Sequence, residues 1–155
     1  MKRVLVMSDN HGDDRIFDYL KEKEKNIDFY IHCGDSEAYY EQKLTGFICV
    51  KGNNDWHLNL PEQAKVKIED MNILVMHGHR LGYWNRDYAM IDALTTNKCQ
   101  ILISGHTHIP MFVKEGDFYF INPGSTSLPR GGSSRRYCIV TIDGTNVDCE
   151  FKTIQ

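Results

Sequence analysis

The sequence lacks the long apolar runs and the excess of positive charge that mark several classes of protein. No run approaches the roughly 18 consecutive apolar residues that a membrane-spanning helix needs, so we expect no membrane span. The 18 basic and 21 acidic residues give a formal charge of −3 and leave no basic stripe, so nucleic acid is not expected as a partner. What the 155 residues do contain is 41% hydrophobic residues, which predicts one folded domain over residues 1–155.

Paired cysteine motifs and a secretory leader are also missing. The five cysteines are an odd number, widely spaced, and none forms a C-x-x-C motif; they are Cys33, Cys49, Cys99, Cys138 and Cys149. Only a short apolar stretch, Val4 to Met7, precedes the carboxylate of Asp9, which is too short for the apolar part of a signal peptide. We therefore expect free thiols in a reducing compartment and a cytoplasmic protein.

Short runs of β-branched, aliphatic and aromatic residues predict ten strands. They are residues 3–7, 28–32, 47–50, 64–69, 71–76, 101–103, 111–114, 118–121, 137–142 and 147–152. The first three alternate with predicted helices, which favours parallel pairing through right-handed crossovers. Two sheets that share one core, with helices on their outer faces, are the simplest packing of these elements.

Helical spacing of apolar residues predicts two longer helices. The first is expected to begin after an N-cap at Asp13 and to end at about Lys25. The second should end near Asn97. Its apolar face, which we expect to be buried, comprises Trp84, Tyr88, Ile91 and Leu94.

Polar residues follow five of the predicted strands. The segments are Asp9-Asn10-His11, Gly34-Asp35, Gly52-Asn53-Asn54-Asp55, His77-Gly78-His79 and Gly105-His106-Thr107-His108. Ligands of open α/β sheets bind at the carboxyl ends of strands, so these loops should converge. A glycine in each later segment lets the backbone turn tightly beside a bound ion.

Imidazole, carboxylate and amide groups in these loops predict a site for two metal ions. We expect Asp9 and His11 to face one ion, because alternate residues of an extended segment point the same way. Carboxylates alone would repel a phosphate, whereas two divalent ions would reverse the sign of the site. The mixed donors suit Mn, Fe, Zn or Ni better than Ca or Mg, and the absence of cysteine from the loops disfavours a structural zinc site.

Other polar residues near the motifs have simpler interpretations. Asp55 is interpreted as a residue that orients a ligand or forms a turn. His32, at the end of the second strand, either orients a ligand or only packs in the core. His57 lies outside the motifs, and we expect it to be structural.

In this order, the motifs D-x-H, G-D, G-N-x-D, H-G-H and G-H-T-H resemble those of the calcineurin-like metallophosphoesterase superfamily. The chain length and the Asn122-Pro123-Gly124-Ser125 turn are similar to its compact bacterial and archaeal phosphodiesterase branch. The resemblance spans residues 9 to about 130. It implies an α/β fold, a four-layer αββα sandwich of two mixed β-sheets flanked by helices.

The resemblance also implies a set of ligands and an activity. The first ion would be held by Asp9, His11, Asp35 and His108. Asp35 would bridge to a second ion, which is completed by Asn53, His77 and His106. The implied enzyme is a two-metal-dependent phosphodiesterase with manganese favoured and iron, zinc or nickel as alternatives. A hydroxide shared by the ions would attack the phosphorus of a small phosphate ester in line.

One position departs from the superfamily pattern. The superfamily often carries a histidine directly after the metal-binding asparagine, where it protonates the leaving oxygen, but this chain has Asn54. Such acid catalysis contributes about 10²–10⁴-fold, so alkyl monoesters should be poor substrates. Asn54 can still donate a hydrogen bond to a phosphoryl oxygen. His79 is the nearest motif residue to replace the acid or contact phosphate.

Two alternatives stay open at this point. The compact fold also resembles the retromer subunit, a protein-binding scaffold with an eroded metal site. The seven donor side chains retained here favour catalysis over a scaffold. Related centres also cut DNA, but the charge balance does not favour a nuclease. The oligomeric state is not determined by the sequence, and a homo-oligomer remains an option.

Overall fold

The structure, a computed structural model, describes residues 1–155. The strands are β1 Lys2–Met7, β2 Phe29–His32, β3 Phe47–Cys49, β4 Gln63–Ile68, β5 Met71–Met76, β6 Ile101–Ile103, β7 Met111–Glu115, β8 Phe118–Asn122, β9 Arg136–Asp143 and β10 Asn146–Thr153. The α-helices are α1 Arg15–Lys23 and α2 Arg86–Asn97, and a 3₁₀ helix spans Glu41–Leu44. All ten predicted strands are therefore present, with small shifts at their ends.

The strands form two mixed five-stranded sheets, as predicted. The first has the order β10-β9-β1-β2-β3, in which β1, β2 and β3 are parallel and β9 and β10 are antiparallel to their neighbours. The second has the order β4-β5-β6-β8-β7, with a parallel centre of β5, β6 and β8. Its edge strands β4 and β7 are antiparallel to their neighbours. The parallel centres place the carboxyl ends of these six strands at one end of the molecule.

Side chains along each strand point alternately to the two faces of its sheet, and this alternation divides the core into layers. Val4 and Val6 of β1 belong to a cluster of 17 buried residues from both sheets, which fills the space between them. Leu5 and Met7 point to the opposite face, where they pack with residues of α1. Burial of each large aliphatic side chain contributes about 1.5–3 kcal/mol. Since α2 covers the outer face of the second sheet in the same way, the layers follow the order αββα, as the resemblance implies.

The first helix begins and ends differently from the prediction. Its N-cap position is Asp14 rather than Asp13, and α1 ends at Lys23 rather than near Lys25. The Asp13 carboxylate accepts hydrogen bonds from the Arg15 guanidinium at 2.9 and 3.1 Å. This contact removes Asp13 from the capping role that sequence preference assigned to it.

The predicted apolar face of α2 is wrong in its first half. Trp84 precedes the helix and is 92% exposed, and Tyr88 is 73% exposed. The buried face is set by Met90 and Leu94, which are four residues apart. Neither helix combines the length and the apolar character needed to cross a bilayer.

Candidate metal centre

Hydrogen bonds join the loops that follow the strands. The Asp9 N–H donates to the Gly34 carbonyl at 3.0 Å, and the Gly105 N–H donates to the His77 carbonyl at 3.0 Å. These bonds join the loops after β1 and β2, and those after β5 and β6. The His106 N–H donates to Asp9 Oδ2 at 3.0 Å and connects the two sheets. The predicted convergence is confirmed for these four loops.

Asp9 and His11 approach each other for a reason other than the predicted one. Their φ angles are +56° and +44°, so the segment is left-handed rather than extended. Asp35, His106 and His108 also have positive φ, at +58°, +70° and +62°. A left-handed non-glycine residue costs roughly 1–2 kcal/mol, and such residues concentrate at functional sites.

Gly34 shows why the motifs contain glycine. Its φ is +101°, and a Cβ there would lie 2.8 Å from the Gly52 nitrogen and 2.9 Å from His77 Nδ1. Any side chain would therefore separate the β2, β3 and β5 loops. The close approach of these backbones requires glycine at this position.

Two groups of potential ligand atoms lie at the centre of the converged loops. One contains Asp9, His11 and His108, and the other contains Asp9, Asp35 and His77. Asp9 Oδ1 lies 3.6 Å from His11 Nε2, 3.8 Å from His77 Nε2 and 3.3 Å from His108 Nε2. Asp35 Oδ2 lies between the groups, 4.0 Å from His11 Nε2 and 3.2 Å from His77 Nε2. Asp9 is common to both groups, whereas the resemblance assigns the bridging role to Asp35.

The three central histidines are oriented by hydrogen bonds at Nδ1. The partners are Glu37 Oε1 for His11 at 2.6 Å, the Cys33 carbonyl for His77 at 2.8 Å and the Leu128 carbonyl for His108 at 2.6 Å. Because each partner is an oxygen that accepts a hydrogen bond from Nδ1–H, each neutral ring directs the lone pair of Nε2 inwards. His11 Nε2 and His108 Nε2 face each other at 3.2 Å. Two facing lone pairs need a cation or a proton between them.

Buried polar atoms at the centre fit a metal ion. Asp9 Oδ1 and His77 Nε2 are both buried without a hydrogen-bond partner. An unsatisfied buried polar atom costs about 1–3 kcal/mol, and coordination of a cation would remove that cost. The oxygen and imidazole donors are those of first-row transition metals. The residues present therefore fit the predicted metal site.

Contacts between the carboxylates and imidazoles shift their pKa values. The close Asp9 carboxylate raises the pKa of His11 to about 9. Burial alone would raise the pKa of Asp9, but His108 and His11 hold it well below its ordinary value. Burial would lower the pKa of His77, but the contact with Asp35 raises it overall. Without divalent ions, imidazole protons thus balance the carboxylates, and metal binding would release them.

Two buried residues around the proposed ligands, Asp55 and His32, bond to the loops that carry them. Asp55 is buried and accepts hydrogen bonds from the backbone N–H groups of Asp35, Glu37 and Gly52 at 2.8–2.9 Å, so its carboxylate joins the β2 and β3 loops. The buried His32 accepts from the Gly34 N–H at 3.0 Å, and its Nε2 lies 2.7 Å from Asn10 Oδ1.

Glu37, the partner of His11, was missed altogether. Its only signal is its position two residues after Asp35. Because Glu37 has a positive φ of +50°, ordinary strand or helix spacing does not predict where its side chain goes. The His11 contact, at 2.6 Å, is therefore a product of the loop conformation.

The other predicted site residues lie around this centre. His106 packs its ring 5.1 Å from that of His77, and His79 lies 5.5 Å from His77 between ring centroids. Asn54 contacts Asp35, through its backbone N–H at 2.9 Å and its side-chain amide at 3.0 Å. Asn53 is exposed, and no side-chain hydrogen bond joins it to the other ligands. The roles of these residues stay predictions.

The fold and the centre define an α/β sandwich protein with a histidine- and carboxylate-rich site at the carboxyl ends of its strands. The calcineurin-like phosphoesterase superfamily domain matches residues 1–145. A probable metallophosphoesterase of Methanocaldococcus jannaschii is 38% identical over an alignment of 133 residues, and the match covers 81% of this chain and 68% of the relative. The chain therefore belongs to the calcineurin-like phosphoesterase superfamily, as the motifs predict.

Further comparisons cover an enzyme and two solved structures. Phosphodiesterase YfcE of Escherichia coli is 33% identical over an alignment of 108 residues, and the match covers 64% of this chain and 55% of YfcE. A predicted phosphoesterase of Streptococcus pneumoniae has a TM-score of 0.89 at 31% identity, over 98% of this chain and 89% of that one. Vps29 of Entamoeba histolytica complexed with Zn²⁺ has a TM-score of 0.75 at 26% identity, over 97% and 98% of the two chains.

Proposed function

We propose that this protein is a two-metal-dependent phosphodiesterase that hydrolyses a small phosphate ester. The observation that carries the proposal is the orientation of three imidazoles by Nδ1 contacts, so that their Nε2 atoms surround the buried Asp9 Oδ1 at 3.3–3.8 Å. Such orientation of metal-binding histidines from outside the coordination sphere is typical of metalloenzymes. The similarity to phosphodiesterase YfcE supports the choice of substrate class.

The proposed ligands are those that the motifs predict. Asp9, His11, Asp35 and His108 would hold the first ion, and Asp35, Asn53, His77 and His106 the second. When bound, two divalent ions supply the attacking hydroxide and neutralise charge on the phosphate. The donor set favours manganese, with iron, zinc or nickel as alternatives. Because Asp9 belongs to both groups of candidate ligand atoms, its carboxylate would act on both ions.

The leaving group should be one that departs without a strong acid. The Asn54 amide donates to Asp35 at 3.0 Å, so in this geometry it stabilises a proposed ligand. His79 lies 5.5 Å from His77 and 6.3 Å from His106 between ring centroids, and burial lowers its pKa. Aryl diesters should therefore react faster than alkyl monoesters.

The setting of this activity is also part of the proposal. We infer a single domain over residues 1–155 acting in the cytoplasm on a small molecule, without a membrane or nucleic-acid partner. All five cysteines are free thiols, and four are buried, in keeping with a reducing compartment. A homo-oligomer remains compatible with these observations.

Hydrolysis of bis-p-nitrophenyl phosphate with added Mn²⁺ tests the proposal. Wild-type protein should turn the diester over, and Asp35→Asn should lower the rate by at least about 100-fold, because one ligand carboxylate is lost. Asp18→Asn, at an exposed carboxylate on α1, is the matched control and should keep full activity. Bound metal would be counted in each sample by elemental analysis.

The competing function is a protein-binding scaffold on the same fold. Vps29, which is not named as a phosphoesterase, has the same sandwich fold. Negligible turnover by both wild type and Asp35→Asn, with metal demonstrably bound, would contradict the enzyme and favour the scaffold. The seven retained donor side chains support the enzyme.

A further inference from the structure

One buried histidine, His32, lies outside the proposed set of metal ligands. It is the last residue of β2 and is fully buried. Its ring packs against those of Phe17 and Phe47, with centroids 6.0 and 6.3 Å away. An imidazole is unfavourable at a position that only has to be filled, because its nitrogens need partners when they are buried. A leucine or a phenylalanine would pack there without that requirement.

The hydrogen bonds of His32 fix its tautomer. Its Nδ1 accepts from the backbone N–H of Gly34 at 3.0 Å. A backbone N–H can only donate, so Nδ1 carries no proton, and in the neutral ring the proton is on Nε2. The Nε2–H group then donates to Asn10 Oδ1 at 2.7 Å. Burial lowers the pKa of His32 to about 4, so the ring is neutral near pH 7 and both bonds keep these directions.

These two bonds join the loops that carry three of the proposed ligands. Gly34 directly precedes Asp35, and its carbonyl accepts from the Asp9 N–H at 3.0 Å. Asn10 lies between Asp9 and His11 and is itself fully buried. The imidazole therefore contacts a direct neighbour of each of these three ligands.

The contact with Asn10 adds to the backbone bonds between the two loops. Bonds from the Asp9 N–H to Gly34 and from the His11 N–H to Asp35, both at 3.0 Å, place the main chain of the β1 loop. Asp9 and His11 both have left-handed φ angles, and they flank Asn10. Such conformations persist only where the surrounding contacts over-determine them. The bond to the Asn10 side chain is one such contact, and it lies between the two left-handed residues.

We propose that His32 is a positioning residue of the metal centre, whose imidazole holds the Asp9–His11 segment and the Asp35 loop in the arrangement that binds the first ion. This inference rests on the proposed function, because it assigns His32 to the first of the two proposed ions. Loss of a group that orients ligands typically weakens metal affinity by about 10–100-fold. The second ion should be affected less, since it shares only Asp35 with these segments.

Metal binding by His32 variants tests the proposal without relying on turnover. His32→Leu keeps apolar packing and removes both hydrogen bonds, so calorimetric titration of the metal-free protein with Mn²⁺ should show one ion bound at least about tenfold more weakly. His32→Gln can place an amide N–H near the position of Nε2 and should recover part of this loss. The visible absorption of Co²⁺-loaded protein reports ligand geometry. It should change in His32→Leu and return towards the wild-type spectrum in His32→Gln.

Tyr137→Phe is the matched control for a loss of stability alone. Tyr137 is as buried as His32, and its hydroxyl donates to Glu24 at 2.6 Å, in a pair that contains no proposed ligand. Urea denaturation should show lower stability for both Tyr137→Phe and His32→Leu, whereas only His32→Leu should change the Mn²⁺ affinity and the Co²⁺ spectrum. A folded His32→Leu protein that binds Mn²⁺ as tightly as wild type would overturn the proposal.

Asn10→Ala tests the same contact from its other end and does not depend on the folding of His32→Leu. It should weaken the same ion, and unchanged affinity would contradict the positioning role. The double variant His32→Leu/Asn10→Ala should bind this ion no more weakly than His32→Leu, because Asn10 acts through His32. Losses that simply add would mean that the two residues act independently, which the proposal excludes.

The outcomes separate this inference from the proposed function. Unchanged metal binding in His32→Leu and Asn10→Ala, together with diester hydrolysis by wild type, would overturn the positioning role and leave the phosphodiesterase intact. Weaker binding in both variants, without hydrolysis by the metal-loaded wild type, would support the positioning role and contradict the phosphodiesterase.

Discussion

Two buried carboxylates, Glu24 and Asp9, have their negative charges neutralised by different kinds of partner. Glu24 accepts hydrogen bonds from the Tyr137 hydroxyl at 2.6 Å and from the Lys152 ammonium at 2.9 and 3.2 Å. Asp9 Oδ1 instead faces imidazole nitrogens, whose positive charge is a removable proton. A buried carboxylate that only stabilises the fold can have a permanent cation. A buried carboxylate that binds a metal ion needs partners whose protons the ion can displace.

The largest expected effect is loss of activity in Asp9→Asn. Because Asp9 belongs to both groups of ligand atoms, the variant should bind fewer than two Mn²⁺ ions and lose at least about 100-fold in kcat. Diester hydrolysis and elemental analysis measure these changes. If the variant kept two ions and normal turnover, the Asp9 carboxylate would have no role in metal binding, like that of Glu24.

Unlike Asp9→Asn, Glu24→Gln should lower the stability of the fold and leave the activity unchanged. Loss of hydrogen bonds to a charged group should lower the free energy of unfolding by roughly 1.5–3 kcal/mol, while metal content and kcat stay unchanged. Urea denaturation followed by circular dichroism measures the stability. Glu22→Gln, at an exposed position on α1, is the control and should change little. Loss of activity in correctly folded Glu24→Gln would remove the distinction between the two carboxylates.

Glu37→Gln should weaken the centre without removing a ligand. The 2.6 Å contact fixes the orientation of His11, and loss of such a partner typically lowers metal affinity by about 10–100-fold. Mn²⁺ titration by calorimetry should show weaker binding, and kcat at saturating metal should recover most of the wild-type value. Unchanged affinity would mean that the loop backbone alone orients His11.

The smallest effect concerns acid stability. Burial alone would raise the pKa of Glu24, but Tyr137 and Lys152 hold it below its ordinary value. The ionised form therefore stabilises the fold above the unfolded pKa of about 4.3, and this contribution is lost as the pH falls through the lower folded value. The stability difference between wild type and Glu24→Gln should be constant above about pH 5 and shrink below it. Denaturant unfolding across this range measures it, and a constant difference down to low pH would contradict the role of Glu24.

The prediction of the fold succeeded where local pattern and burial agree. Strands such as β1 and β6 are continuous apolar runs, and their doubly buried positions follow from that composition. Helix boundaries were less accurate, because Asp13 bonds to Arg15 instead of capping α1. Trp84 fits helical spacing in the sequence, yet the helix begins after it, so its exposure depends on the β5 loop.

The candidate site shows the same division. Asp9, His11 and His77 could be named as candidate metal ligands from the motifs, because glycine-flanked donors after strands have few purely structural explanations. Two of the groups that orient the imidazoles are backbone carbonyls, at Cys33 and Leu128, and every residue has a carbonyl. No pattern of side chains could have identified them.

By itself the sequence determined the number of strands, the order of the ligand-bearing loops and the chemistry of the donors, because apolar runs and residue types are local properties. Only the tertiary structure decided that Asp9 lies between three imidazoles, that Glu37 turns back to His11 and that the Tyr83 hydroxyl lies beside His106. The physical reason is that left-handed loop conformations and contacts between distant segments depend on the packing of both sheets, which no local stretch of chain specifies.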